Sequence, residues 1–248
     1  CLNNPLVYKD ENGEFIIAFF SHFIKGLVKK QNPFKTGWQG VKNEYMLLKG
    51  LFSGGSQRTK SRFTRELPQT TAGFWASYFS NLFGFTRKVS SWGGATVSQL
   101  EPAFLKGSKA FTLGSYIMGG SSIEADPDNV IFQHEYGHYL QSQEMGWSYL
   151  FKVAIPSLKS AAGDGMHCFF KTEQDANMRS LIYMSENVEG FYRTKDQLDK
   201  DKGWNFLKNP LDPNSERVRG RYYDVRDASV RSDLIKSLSL TGGLWYIR

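Results

Sequence analysis

Three stretches in the first third of the chain place apolar residues at spacings a helix can use: "FIIAFFSHFIKGLV" at 15–28, "EYMLLKGLF" at 44–52 and "AGFWASYFSNLFGF" at 72–85. Between the last two lies "SGGSQRTKSR", polar and glycine-bearing, which reads as a mobile loop. The pattern changes over 92–118. There "GGATVSQ" and "AFTLGSYIMGG" carry β-branched or aromatic residues with partial alternation and glycine punctuation, and they predict two strands. "SSIEADPDNV" then supplies turn chemistry, with a helix start expected near Asp128 or Asn129. From Val130 to about Trp147 the spacing is helical again. "FFKTEQDANMRSLIYM" at 169–184 predicts another helix, reached by turns through "VAIPSL" and "SAAGDG".

Composition fits a folded core: 248 residues, 40% hydrophobic and 15% aromatic. No uninterrupted apolar run reaches the ~18 residues of a membrane span. The stretch at 15–28 is broken by His22 and Lys25 and lacks a basic leader and a cleavage site, so a buried helix is expected there, with a partly membrane-seeking segment as the minor reading, rather than a signal peptide. Core packing is likewise expected of the aromatic run Phe74 to Phe85, with membrane contact as the minor reading. The net charge of +7 is scattered through "LVKKQ", "QRTKSR", "FTRK" and "RVRGR". Solvated faces explain that better than a nucleic-acid surface, and no specific nucleic-acid partner is expected. Two cysteines, Cys1 and Cys168, make no disulfide framework.

The chemistry concentrates in "IFQHEYGHYLQS", residues 131–142. Four residues of α-helix turn the chain by ~400°, so His134 and His138 project from nearly one face and can reach a single metal. Glu135 lies roughly 100° round from His134, beside such a metal, where a carboxylate can take a proton from metal-bound water. This is the H-E-x-x-H arrangement, and Gly137 within it permits close packing. A catalytic zinc needs a third protein ligand and an open position. The residues offer Asp164, His167, Cys168, Glu173 and Asp175.

Two resemblances narrow these alternatives. Glu173-Gln174-Asp175-Ala176-Asn177, together with the H-E-x-x-H segment, resembles the gluzincin metallopeptidases (the thermolysin-like group) over roughly residues 92–185. The resemblance implies Glu173 as third zinc ligand; His167 is its main competitor, and Asp175, two residues on, should face away if Glu173 faces the metal. The resemblance also implies Asn177 in place of the aspartate that orients a metal-binding histidine, and "AFTLGSYIMG" as the strand that pairs with an extended peptide. An oxyanion-stabilising residue is expected among Tyr183, Arg219, Arg221, Tyr222 and Tyr223. The opening "CLNNPLVYKDENGE" resembles the end of the RHS-repeat-associated core through Asn3-Asn4-Pro5, Tyr8, Asp10 and Gly13, with Glu11 where that pattern has proline.

The resulting expectation is an α+β, zincin-like fold, in which a small mixed sheet packs on the H-E-x-x-H helix and a second metal-ligand helix, with further helices at both ends. Residues 1–14 end an RHS-core-like segment, 15–90 form a mainly helical region, and 91–248 form the zincin-like region with a C-terminal extension. The expected activity is peptide-bond hydrolysis by a zinc metallopeptidase, with His134, His138 and Glu173 as metal ligands and Glu135 as general base. RHS resemblance implies a secreted effector delivered into a target cell, an immunity protein, and association with the parent chain's RHS shell. The competing expectation is a membrane-active or nucleic-acid-directed toxin whose metal site is structural.

Overall fold

The computed structural model describes residues 14–105, 109–161, 171–189 and 191. Four helices come first: α1 (Glu14–Val28), α2 (Pro33–Gly50), α3 (Ser56–Arg62) and α4 (Leu67–Leu82). Four strands follow, β1 (Thr86–Trp92), β2 (Ala95–Leu100), β3 (Ala110–Leu113) and β4 (Tyr116–Gly119). After them come α5 (Val130–Met145), a 3₁₀ turn (Gly146–Ser148), a π-helical turn (Leu150–Ala154), α6 (Ile155–Ala161) and α7 (Lys171–Asn187). The fold is mixed α+β.

The strands form a mixed sheet in the order β1-β2-β4-β3. Two hairpins build it, β1 with β2 and β3 with β4, joined by a parallel pairing of β2 with β4. Where two strands are expected the structure has four: "GGATVSQ" holds a turn and most of β2, "AFTLGSYIMGG" is the whole β3–β4 hairpin, and β1 lies outside both. The first turn is Gly93-Gly94, with φ of 54° and 87°, which only glycine adopts readily at both positions of a two-residue turn. The expected boundary at residue 90 falls inside β1.

The sheet is covered on both faces. Ala95, Val97 and Ile117 pack with Phe132, Tyr136 and Tyr139 of α5 and with Ile182 and Met184 of α7. On the other face Tyr116 and Val89 meet Leu47 of α2 and Tyr78 of α4. Adjacent residues Tyr116 and Ile117 enter opposite cores, as the period-2 alternation of a strand requires.

Four further expectations change. "SGGSQRTKSR" is not a loop throughout: it contains α3, because Arg62 is wholly buried and its guanidinium binds the carbonyls of Leu51, Ser53 and Gly94 and the Ser115 hydroxyl. A buried charge held by four acceptors fixes the segment that polarity alone marked as mobile. "VAIPSL" is helical rather than a turn, with Pro156 at the start of α6, where the missing N–H costs no hydrogen bond. Finally, α1 is not a buried helix. Its packed side holds Ala18, His22 and Gly26, while Ile16, Ile17, Phe20, Ile24, Leu27 and Val28 are each at least 51% exposed. The aromatic run of α4 is likewise only part core: Tyr78 is buried, but Trp75, Phe79, Phe83 and Phe85 are exposed.

Candidate metal centre

Asn129 caps α5, its side chain accepting from Phe132 N–H at 2.9 Å, and this sets the helical phase of everything after it. That phase puts His134 and His138 on the side facing α7, with ring centroids 4.9 Å apart and planes perpendicular. α7 lies close because Gly137 lets it. A Cβ there would sit 2.0 Å from the Ala176 carbonyl oxygen. The approach brings Glu173 Oε2 to 3.1 Å from both His134 Nε2 and His138 Nε2. Ligand atoms of His134, His138 and Glu173 all fall within 4.8 Å of one another, so the three can hold a metal ion.

Each imidazole is oriented from behind. His134 Nδ1 lies 2.7 Å from Asn177 Oδ1, and His138 Nδ1 lies 2.8 Å from Gln141 Oε1. With Nδ1–H donating to these amide oxygens, each ring turns its Nε2 toward Glu173 and the centre. Gln141 is anchored in turn, donating to Thr172 O at 2.9 Å and to Asp175 Oδ2 at 2.7 Å. Asp175 also accepts from Arg179, which continues to Glu144 of α5. Burial lowers the Arg179 guanidinium to about 10, still charged at neutral pH. Asp175 thus faces away from the metal group, as residues two apart on a helix should.

Charges inside the group support one another. Burial works against a charged His134, but the Glu173 hydrogen bond and the Glu135 and Glu173 carboxylates outweigh it and raise the imidazole to about 9. Burial pushes the Glu173 carboxyl up, while its bonds to the two histidines pull it far below the usual carboxylate range. Glu173 is 1% exposed at its side chain and His134 23%, so the centre opens on the His134 side.

Glu135 stands apart from the three, as its helical position requires. Its Oε2 accepts from the Thr112 hydroxyl at 2.7 Å. Thr112 belongs to β3, which lies at the sheet edge, and its carbonyl accepts from Tyr149 OH at 3.1 Å. Burial, then the nearby Glu135 and Glu173 charges, push the Tyr149 phenol well up, so it stays a donor. Sequence reasoning singled out neither Thr112, Tyr149 nor Gln141. Gln141 had a signal, because it lies three residues after His138 on one helix face. Nothing local marked Thr112.

Among the oxyanion candidates, Tyr183 lies in the core beside Tyr136, its hydroxyl bound by Arg58 Nη2 at 3.0 Å. Tyr136 is two residues from His134, on the far side of α5, and Tyr183 goes with it. Arg219, Arg221, Tyr222 and Tyr223 lie outside the described residues, as do Asp164, His167 and Cys168. In comparisons with known proteins, no family model, no curated sequence and no solved structure matches the chain.

Proposed function

We propose that this chain is a zinc metallopeptidase with a zincin-like architecture, serving as the toxin tip of a secreted RHS-type protein. The observation that carries the proposal is the convergence of His134, His138 and Glu173, with the Glu135 carboxylate held separately by an edge strand. Tetrahedral zinc with ~2.0–2.1 Å bonds places neighbouring ligand atoms about 3.3 Å apart. The two 3.1 Å separations from Glu173 Oε2 lie close to that spacing. Two imidazoles, each giving up its Nε2 proton when a metal binds, and one carboxylate would form a three-ligand set that leaves a coordination position for catalysis.

Zinc held there would polarise a substrate carbonyl and lower the pKa of a water. The chain's own residues do the rest. Glu135 takes the proton at its carboxylate and later returns it to the leaving amine. Thr112 fixes one Glu135 oxygen by donating to it, which leaves the other free to accept that proton. β3, at the sheet edge, lies where an extended peptide could be bound by its backbone.

The decisive experiment compares wild type with Glu135→Gln in producing cells, by a proteome-wide search for new N-termini. The variant keeps shape and zinc but cannot accept the proton, so cleavage and toxicity should fall by roughly two or more orders of magnitude. Zinc analysis provides the second arm: about one zinc per chain, lost in His134→Ala and in Glu173→Ala. A fully toxic Glu135→Gln would leave the metal site a staple and move the activity to the N-terminal helices, where the exposed apolar face of α1 favours a membrane-active reading.

A further inference from the structure

Helix α1 is inverted relative to an ordinary surface helix. Among its described side chains, every exposed position is a large apolar residue: Ile16, Ile17, Phe20, Ile24, Leu27 and Val28. At ~100° per residue they share an arc of about 120°. The opposite side is firmly engaged. A Cβ on Gly40 of α2 would lie 2.7 Å from the Ala18 carbonyl oxygen and 2.6 Å from the His22 ring, so the helices touch backbone to backbone. His22 in turn reaches Asn81 at the end of α4. The apolar arc is therefore the outer face of a docked helix, not a core face awaiting α2. It continues onto α2, where exposed Phe34 and Trp38 stand edge-on to Phe23 and Phe19 at 5.2 and 5.6 Å.

Charge selects the occupant. Residues 14–50 carry six lysines against two glutamates, and Glu44 is buried. Lys25 and Lys29 both pair with Glu101, but Lys30 and Lys35 form no ion pair among the described residues. Both sit at the α1–α2 corner, Lys30 two residues after exposed Val28 and Lys35 directly after exposed Phe34. A second copy would bring equal positive charge against this corner. Residues 192–248 of the same chain are also basic, twelve Lys and Arg against eight Asp and Glu, so they offer no complement. An anionic lipid surface offers both what the arc lacks and what the lysines lack. The 15 residues of α1 span only about 22 Å at ~1.5 Å each. No described helix is long and apolar enough to cross a membrane, so the contact lies in the plane of the interface.

We propose that the exposed apolar face of α1, extended by Phe34 and Trp38, seats this protein on an anionic lipid surface, with Lys30 and Lys35 at the headgroups. The inference does not depend on the metal centre. It is tested by co-sedimentation of the full chain with vesicles of phosphatidylglycerol and phosphatidylcholine in equal parts, and with phosphatidylcholine alone. Wild type should bind the mixed vesicles and weaken as salt rises. Phe20→Asp/Ile24→Asp should weaken binding by about a hundredfold or more, and Lys30→Glu/Lys35→Glu by about tenfold or more, with far-ultraviolet circular dichroism unchanged in both. Failure of wild type to bind, or equal binding by the Phe20→Asp/Ile24→Asp variant, overturns the proposal. So does a wild-type dimer that this variant dissociates, which gives the face to a second copy. Protection of Phe20 and Trp38 from hydroxyl-radical labelling in the lipid-free monomer would give it to the rest of the chain and overturn the proposal as well.

Discussion

Helices α1 and α5 reverse each other's relation to water. α1 presents six large apolar residues to solvent and packs through Ala18, His22 and Gly26. α5 buries Gln133, Glu135, His138, Gln141, Ser142, Gln143 and Glu144. In α5 the burial is made tolerable by partners: Thr112 for Glu135, Gln141 for His138, Glu66 for Ser142, Arg179 for Glu144. These four pairings fix one arrangement of side chains around the candidate metal centre. The apolar face of α1 has no such partner among the described residues and specifies nothing internal. Hydropathy alone would have assigned the two helices the opposite environments, so each departure marks a place where something other than core formation selected the residues.

The comparison breaks most severely at Gly137. Helix propensity alone favours alanine over glycine by ~1 kcal/mol. Yet a Cβ there meets the Ala176 carbonyl oxygen at 2.0 Å, a backbone atom that cannot rotate aside. Gly137→Ala should therefore destabilise the fold by about 3 kcal/mol and move Glu173 away from the histidines. Urea denaturation and zinc titration report the two effects. A stabilised Gly137→Ala protein would mean that α7 does not cross α5 there.

A second prediction tests His22, a polar group that α1 does bury. His22 Nε2 lies 3.0 Å from Asn81 O and 3.1 Å from Asn81 Oδ1. Burial, aided by the Lys25 charge, lowers the imidazole to about 4; the Asn81 bonds and Glu101 oppose this only in part. Below the ordinary value of 6.5 the unfolded chain takes a proton that the folded chain refuses. Stability should fall between pH 6.5 and 4, by roughly 2 kcal/mol at pH 5. Glu101, held low by Lys25 and Lys29 against its own burial, contributes in the same direction, and Glu66, raised by burial, in the opposite one. The difference between wild type and His22→Gln isolates the His22 share. Parallel pH profiles for the two proteins would place His22 in contact with solvent.

How much of this was legible follows from which interactions are local. A helix start near Asp128 or Asn129, the phase of α5 and the opposed faces of Glu173 and Asp175 follow from helix rules; the choice of Glu173 rests on the gluzincin resemblance, and the structure brings it together with His134 and His138. The hairpins were half legible, through Gly93-Gly94, but β1 was not, since "TRKVSSW" has an irregular burial pattern. Arg62 ordering α3 and Thr112 binding Glu135 are long-range pairings, 53 positions apart for Arg62 with Ser115 and 23 for Thr112 with Glu135. No periodicity encodes them. Exposure of α1 was illegible for another reason: hydrophobic spacing locates an apolar face but does not say what covers it.

A third, smaller effect sharpens the reading of α5. If Gln141 and Asn177 orient the two imidazoles rather than merely fill space, Gln141→Leu should weaken zinc about ten- to a hundredfold in competition with a chelator. Asn177→Asp should act in the opposite sense, because a carboxylate polarises the ring of His134 more than an amide does. Unchanged zinc affinity in both would reduce the amides to packing.

The smallest expected effect is on α1 itself. Ile24 is 57% exposed, so its replacement removes less than half of the burial worth of an isoleucine side chain. A fully buried isoleucine contributes ~1.5–3 kcal/mol, and glutamine keeps part of the contact through its methylenes. Glutamine is also at least as good a helix former, which offsets some of the remainder. Ile24→Gln and Ile17→Gln should each shift stability in urea by less than about 1 kcal/mol, against about 3 kcal/mol for Gly137→Ala. The contrast is informative because hydropathy ranks them the other way. Removing a large apolar group from a helix is normally the damaging change, and adding a methyl at a helical glycine the benign one. A loss of several kcal/mol at Ile24 would mean that the folded protein covers this face itself, and α1 would then be a core helix after all.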